Sequence, residues 1–573
     1  MKRRAGRRRP RRTGTLACIL LILSAGAAIR GVRGAQSGPA GAARVPLTLL
    51  ARTDLHGHVF PLDEETGEPA NLGLAKIATL VAQERAAHPH TLLFDCGDTT
   101  QGTALAYLAA TRYAAQPNPV IAAMNAMGYD AMAVGNHDFN FGLSHLAKIR
   151  REARFPILGA NVQTAADAPG NPFPAYVIRT VAGVRVGIIG VVTPGIARGE
   201  IPENYRGYRF RPIVEAVEQA AAELRPKVDL LVLLAHSGLG RDAAAASGTP
   251  PREENPENAM IDVATHVPGV DVILFGHTHQ ELGERFINGV LLAQAKFWGQ
   301  SLAEAEIEME STSANSWRVV SKHSRVIPVT TEVAADSGIL KLDREIGDAA
   351  QEFLERPVAH VAAPLSGATA RLEDSPLVDW IHQAQLASGH ADVSIATMFR
   401  TGVRLPAGTL TVRNFFALYP YDNVLYTIEM TGAELRDALE YSASHYPARP
   451  PTRAAAGEER SLPLPSYEAD SAAGVTYVLD LTKPAGSRVR DLAFRGRPLE
   501  PGQRLLVAVN HYRYYGDEKF RGRKIVRQVP EHVFEALVEY ARRMKEMPTE
   551  AAGNWRIEPR EAREALLRAA GRQ

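Results

Sequence analysis

Between Pro46 and about Val329, short apolar runs alternate with longer stretches of helical period. Leu47–Ala51, Thr91–Phe94, Ala131–Val134, Leu230–Ala235 and Val270–Phe275 are nearly continuous hydrophobic segments, the pattern of strands covered on both faces. Leu72–Ala87, Leu143–Ala153 and Pro212–Leu224 repeat their apolar positions at three- and four-residue spacing and predict helices between those strands. Two further strand pairs are expected at Tyr176–Val191 and Phe286–Met309. Alternation of this kind predicts an α/β layered fold. Glu332–Leu354 is polar with helical period and stops before Pro357, which predicts a linking helix. A second, smaller α+β unit follows, with a helix near Pro376–Ala387 and strands near Val393, Tyr426 and Val475. Tyr446–Ser466, rich in Pro, Arg and Ala, predicts a surface insertion, and residues 546–573 an exposed, helical tail.

The five strands of the first unit share a feature that hydrophobicity does not explain. Each runs directly into a polar cluster beside glycine: Asp54-Leu55-His56-Gly57, Gly97-Asp98, Gly135-Asn136-His137-Asp138, His236-Ser237-Gly238 and Gly276-His277-Thr278-His279. In an α/β sheet such strand ends converge on one edge, where ligands bind. A single histidine at a strand end is ordinary hydrogen-bonded structure. Five clusters of Asp, Asn and His in one domain predict a metal centre.

The N-terminus departs from the rest. Eight Lys and Arg lie between Lys2 and Arg12, an apolar run spans Leu16 to Ala28, and small residues lead to Gly34-Ala35. This is the pattern of a secretory signal over residues 1–35, and it predicts a periplasmic or extracellular protein. The run of about 13 residues is short for a membrane anchor, which needs ~20. Ten of the 65 basic residues and none of the 63 acidic ones lie in residues 1–35. Removing them leaves 55 basic against 63 acidic residues, so the net charge changes from +2 to −8. An acidic chain gives no support for wrapping nucleic acid, and an anionic substrate must be drawn to a local cationic site. Of the two cysteines only Cys96 lies outside the signal, so no internal disulfide is expected.

The series DLH, GD, GNHD, H, GHTH resembles the calcineurin-like metallophosphoesterases. With the second unit included, the chain is similar over about residues 45–545 to the family of 5′-nucleotidases and 2′,3′-cyclic-nucleotide 2′-phosphodiesterase/3′-nucleotidases. The resemblance implies a four-layer αββα sandwich at 45–330, a linker at 331–357 and a nucleoside-binding domain at 358–545. It implies that Asp54, His56 and His279 bind one divalent metal ion and Asn136, His236 and His277 a second, with Asp98 bridging. Such donors suit Zn²⁺, Mn²⁺ or Fe²⁺ alike. Two ions about 3.5–4 Å apart clamp a phosphate ester and activate a water for in-line attack. His137 follows a ligand directly, so the resemblance gives it the developing charge and the leaving oxygen.

The substrate side is read the same way. Tyr421 and Tyr512, in Tyr419-Pro420-Tyr421-Asp422-Asn423 and Asn510-His511-Tyr512-Arg513, would sandwich the base, and Arg371, Arg400 and Arg404 are candidates for the phosphate. One departure decides the branch. The 5′-nucleotidases carry Asp three residues after the histidine, whereas this chain has Asn140. An amide orients imidazole but does not stabilise imidazolium as a carboxylate does. The Asn form resembles the 2′,3′-cyclic phosphodiesterase/3′-nucleotidase branch, so 3′- and cyclic nucleotides are the expected substrates of a monomer. A 5′-nucleotidase that also cleaves UDP-sugars is the alternative, and a metal-free binding relative is disfavoured by seven competent ligand positions.

Overall fold

The computed structural model describes residues 42–165, 172–240, 256–313, 315–447 and 469–570. The signal and most of the Tyr446–Ser466 insertion lie outside them. From Ala43 onward the described residues form one compact unit.

Two six-stranded sheets make its first half. The order in one is Ser316–Pro328, Ser301–Ser313, Arg44–Arg52, Thr91–Asp95, Ala131–Ala133, Ile157–Leu158. The other runs Leu282–Ile287, Val290–Gln294, Val272–Phe275, Leu230–His236, Val184–Val192, Tyr176–Val181. Alternate side chains of each strand go to opposite faces. Leu47, Leu49 and Ala51 therefore join Leu230, Val232 and Leu234 in a cluster between the sheets. Leu231 and Leu233 turn outward onto the helices Ile213–Leu224 and Met260–His266. On the far side Leu50 and Leu93 meet Leu74, Ile77 and Leu80 of the helix Leu74–Ala87. The result is the expected helix–sheet–sheet–helix sandwich, and double coverage is why its strands read as unbroken apolar runs.

The linker differs from the single helix expected. Ser337–Leu342 and Arg344–Leu354 are separate helices joined at Asp343, which has φ −103° and ψ 9°. The first begins at Asp336, whose carboxylate accepts from the N–H groups of Gly338 and Ile339 at 2.8 and 2.9 Å. Glu332 lies outside both helices.

The second half is built on a five-stranded sheet in the order Ser471–Ala473, Val393–Ala396, Arg504–Asn510, Val424–Thr431, Ile525–His532. Its helices share one hydrophobic cluster with the first half, in which Leu377, Trp380 and Phe415 join Leu74 and Leu105. Polar bonds cross as well. Gln101 donates to Asp422 at 2.6 Å, and Arg413 to the carbonyl of Glu64 at 2.9 Å.

The expectation of an exposed tail is corrected. Trp555–Glu558 pairs in parallel with Val475–Asp480, and Trp555, Ile557 and Leu566 are buried in the core of the second half. The helix Arg560–Ala570 contributes Ala562 and Leu566, a narrow apolar stripe within a charged sequence.

Candidate metal centre and substrate cavity

The strand ends do converge. Asp54, His56 and His279 bring one ligand atom each within 4.8 Å of one another, and Asp98, His236 and His277 do the same. Asp98 stands between the groups: its Oδ2 is 3.0 Å from His236 Nε2 and 3.8 Å from His56 Nε2. The Nε2 atoms of His56 and His279 are 3.1 Å apart, a spacing that suits two lone pairs directed at one cation.

Hydrogen bonds on the far side of each ring fix which nitrogen faces inward. His56 Nδ1 donates to the carbonyl of Gln101 at 3.0 Å and His236 Nδ1 to that of Cys96 at 2.8 Å, so their Nε2 atoms point into the site. His277 is reversed. Its Nε2 donates to Glu257 at 2.8 Å, which leaves Nδ1 as the available donor atom. Phe297 stacks on His279 with ring centroids 4.8 Å apart.

Backbone strain marks the same residues. Asp54, His56, Asp98, His277 and His279 all have φ between +49° and +81°. Non-glycine residues avoid that region at a cost of about 1–3 kcal/mol each, and such strain collects at functional sites. The neighbouring glycines leave room for close approach. A Cβ on Gly135 would lie 2.1 Å from Asp98 N and one on Gly276 1.7 Å from Thr53 Oγ1. Gly135→Ala and Gly276→Ala should therefore each lower stability by about 1–3 kcal/mol, read by denaturant titration. Gly283→Ala, which has nothing within 4 Å of its Cβ, should change it little.

The electrostatics favour a bound cation. Burial opposes charge on both Asp98 and His236, yet their proximity wins. The Asp98 carboxylate is held well below its ordinary range chiefly by His236, and His236 is raised to about 9 by Asp98. Burial keeps His56 neutral, well below the usual imidazole value. Asn136 Oδ1 is buried without a hydrogen-bond partner. A buried carboxylate beside inward lone pairs and an orphaned amide oxygen is a donor set that fits divalent ions. A third group, Glu84, His88 and Glu304, is already served by a cation, since Arg325 bonds Glu304 and lies 3.7 Å from Glu84.

Asp138 ties the loops together: its carboxylate accepts from Thr99 N, Thr100 N and Gly135 N at 2.9 to 3.1 Å. His137 Nδ1 lies 2.7 Å from Asn140 Oδ1, and its backbone N–H donates to Asp98 Oδ1 at 2.8 Å. Beside this centre opens a cavity of about 620 Å³. Asn136, His137, Asn140 and His277 line it from the first half, and Phe399, Tyr421, His511 and Tyr512 from the second. Tyr421 and Tyr512 are 38% and 42% exposed, an accessibility that suits stacking surfaces, and Phe399 meets Tyr421 edge to face at 4.9 Å.

The three arginines expected at the phosphate are placed elsewhere, and none lines the cavity. Arg371 donates to the carbonyls of Met398 and Phe399, both at 2.7 Å, and so shapes the loop that carries Phe399. Arg400 pairs with Glu65 and lies over the Trp298 ring, while Arg404 reaches Ser366 at 3.5 Å. The cations that do line the cavity are Arg198, Arg513 and Lys519. Arg513 lies within the segment read for Tyr512, whereas no motif announces Arg198, Lys519, Glu200 or Glu257.

Comparison with known proteins agrees with the geometry. Residues 47–281 match the calcineurin-like phosphoesterase family and residues 357–524 the 5′-nucleotidase C-terminal domain. The chain is 28% identical to a 2′,3′-cyclic-nucleotide 2′-phosphodiesterase/3′-nucleotidase of Haemophilus influenzae, over 91% of this chain and 88% of that one. It is 29% identical to the trifunctional nucleotide phosphoesterase protein YfkN of Bacillus subtilis over 90% of its own length, but spans only 39% of that relative. The solved structure of a 5′-nucleotidase precursor from Thermus thermophilus superposes with a TM-score of 0.66 at 25% identity, covering 90% of this chain and all of the other. The chain thus belongs to the family that joins a calcineurin-like phosphoesterase domain to a 5′-nucleotidase C-terminal domain, and it is a metal-dependent phosphoric ester hydrolase.

Proposed function

We propose that the protein is an exported enzyme that hydrolyses 2′,3′-cyclic nucleotides and 3′-nucleotides to nucleoside and phosphate. One observation carries this reading: a cavity of about 620 Å³ has His137 and Asn140 on the sandwich side and two accessible tyrosines on the other. That volume lies within the ~300–1,000 Å³ usual for small-molecule sites.

In this reading Asp54, His56 and His279 hold one ion, Asn136, His236 and His277 the other, and Asp98 is shared. Divalent ions bound there would supply positive charge against the phosphate and lower the pKa of a water. His137 stands next to the phosphate and steadies charge that develops there, then gives a proton to the departing oxygen. Tyr421 and Tyr512 hold the base by stacking, about 1–3 kcal/mol per contact and tolerant of base identity. Breadth across bases is therefore expected. The basic and apolar N-terminal segment supports export.

A second reading, 5′-nucleotidase activity, is favoured by the likeness to the Thermus thermophilus structure. Asn140 speaks for the first. The test is phosphate release by metal-reconstituted protein from 2′,3′-cyclic AMP, 3′-AMP, 5′-AMP and UDP-glucose. Preference for the first two, by about tenfold or more in kcat/KM, is the expected result. Preference for 5′-AMP would transfer the assignment to the second reading.

A further inference from the structure

We infer that Glu200 is a positioning residue for His137, acting through the side chain of Asn140. The inference rests on the reading that His137 serves the phosphate, and it is independent of which nucleotide is preferred.

An amide side chain has one accepting and one donating end, so whatever binds one end decides where the other points. Asn140 Nδ2 donates to Glu200 Oε2. Its Oδ1 must then face His137, where it lies 2.7 Å from Nδ1. A carbonyl oxygen there holds one proton on Nδ1, so Nε2 is the working nitrogen: it is the site that binds the second proton and gives it to the departing oxygen. Turning the amide over would place two donors against His137 and a carbonyl against a carboxylate. Glu200 prevents it.

The groups that bond Glu200 are donors, which suits an ionised carboxylate even though burial pushes its pKa up. Glu200 is 3% exposed, and its Oε1 accepts from Ile201 N at 2.7 Å and Asn204 Nδ2 at 3.0 Å. Asn204 Nδ2 also reaches the carbonyl of Asn140 at 2.9 Å, which fixes the backbone of the same residue. From the second half His511 Nε2 stands 3.7 Å from Oε1. Val424 N donates to His511 Nδ1 at 3.0 Å, so the His511 proton lies on Nε2 and faces Glu200. Donors approach both carboxylate oxygens. A glutamine has one accepting end and cannot satisfy both sides. The negative charge that Asn140 lacks is therefore still present behind His137, one side chain further back.

This pattern has a reciprocal solution. In the double variant Asn140→Asp/Glu200→Gln, the aspartate accepts from His137 with one oxygen and from the new amide with the other. The glutamine oxygen then serves Ile201 N and Asn204. Either single variant is mismatched: Glu200→Gln sets donor against donor, and Asn140→Asp sets carboxylate against carboxylate.

The experiment compares wild type, both single variants and the double variant, with His137→Ala as reference. It uses whichever phosphate ester of the panel wild type cleaves fastest. Each single variant should lose about 10- to 100-fold in kcat with KM within about twofold, and the double variant should return to within about threefold of wild type. Because the double variant still carries the Glu200→Gln substitution, its recovery excludes misfolding as the cause of the defect in the single one. Nitrogen-15 shifts of the His137 ring, recorded on metal-free protein, should show the Nδ1–H tautomer in wild type and the double variant and its loss in Glu200→Gln. Full activity in Glu200→Gln, or a double variant no better than the worse single one, overturns the role of Glu200. If His137→Ala is itself as active as wild type, the reading of His137 falls as well.

Discussion

Replacing Asp98 with alanine is expected to lower kcat/KM by more than about 10³-fold, or about 4 kcal/mol of transition-state stabilisation. This one carboxylate serves both ligand groups and the loop beside them. Its Oδ2 faces a histidine of each ligand group, at 3.0 and 3.8 Å, while Oδ1 accepts the backbone N–H of His137 at 2.8 Å. Alanine removes the anion shared by the two groups and the anchor of the loop that carries His137. Metal content by elemental analysis should fall together with activity, while circular dichroism should show the sheets intact, because Asp98 lies beyond the strand Thr91–Asp95 and not within it. Asp98→Asn separates the two contributions. It preserves an oxygen for His137 N but removes the charge, and it should lose nearly as much. An Asp98→Ala protein that keeps both ions and stays within about tenfold of wild type would falsify the bridging role.

Much of this centre is legible in the sequence because two independent patterns coincide. Apolar runs locate the strands, and Asp, Asn and His beside glycine locate their ends. The seven proposed ligands come from five such ends, and the sheet order brings them together. What cannot be read depends on contacts between distant segments. Glu200 caps the end of the four-residue helix Ile196–Gly199 and acquires meaning only because Asn140 lies against it. Glu257 is similar, its importance coming from His277. Arg371 misleads for a related reason. An arginine before a helix looks available for phosphate, but two of its five donors bond backbone carbonyls of another loop, and it does not line the cavity. The C-terminal strand Trp555–Glu558 has four residues and a partner some eighty positions earlier, so neither its length nor its neighbours reveal it. Asp138 belongs to the legible GNHD cluster, yet its carboxylate is occupied by the backbone N–H groups of Thr99 and Thr100 in a neighbouring loop and of Gly135 in its own.

The largest stability effect is expected one layer beneath the centre, at Arg52. Parallel pairing sets Arg52 opposite Asp95. Both side chains are fully buried, with Nη1 2.6 Å from Oδ2, and Arg52 Nε donates to the Tyr129 hydroxyl at 2.8 Å. Arg52→Met keeps the apolar volume but strands the carboxylate, and removing one partner of a buried pair costs about 3–5 kcal/mol. Denaturant unfolding of metal-free protein should show that loss, and its pH dependence identifies the cause. Burial raises Asp95 to about 6 against the pull of Arg52, so without the arginine its folded pKa must rise further. A carboxyl raised in the folded state loses stability as pH climbs from its unfolded value through its folded one. Wild type completes that loss near pH 6 and the variant only above it, so the gap between them should widen as pH passes 6. A gap constant from pH 5 to 8 would point to lost packing instead. The companion variant Arg52→Met/Asp95→Leu removes both charges and should recover most of the stability. It should not recover activity to the same degree. Asp95 Oδ1 also accepts from Gly97 N at 2.9 Å and Thr99 Oγ1 at 2.7 Å, and those two residues flank Asp98. A leucine fills the space but holds neither, so the loop that carries the shared ligand loses its lower anchor. Recovered stability with kcat still depressed would show that the buried pair sets the position of Asp98 more than it stabilises the sandwich.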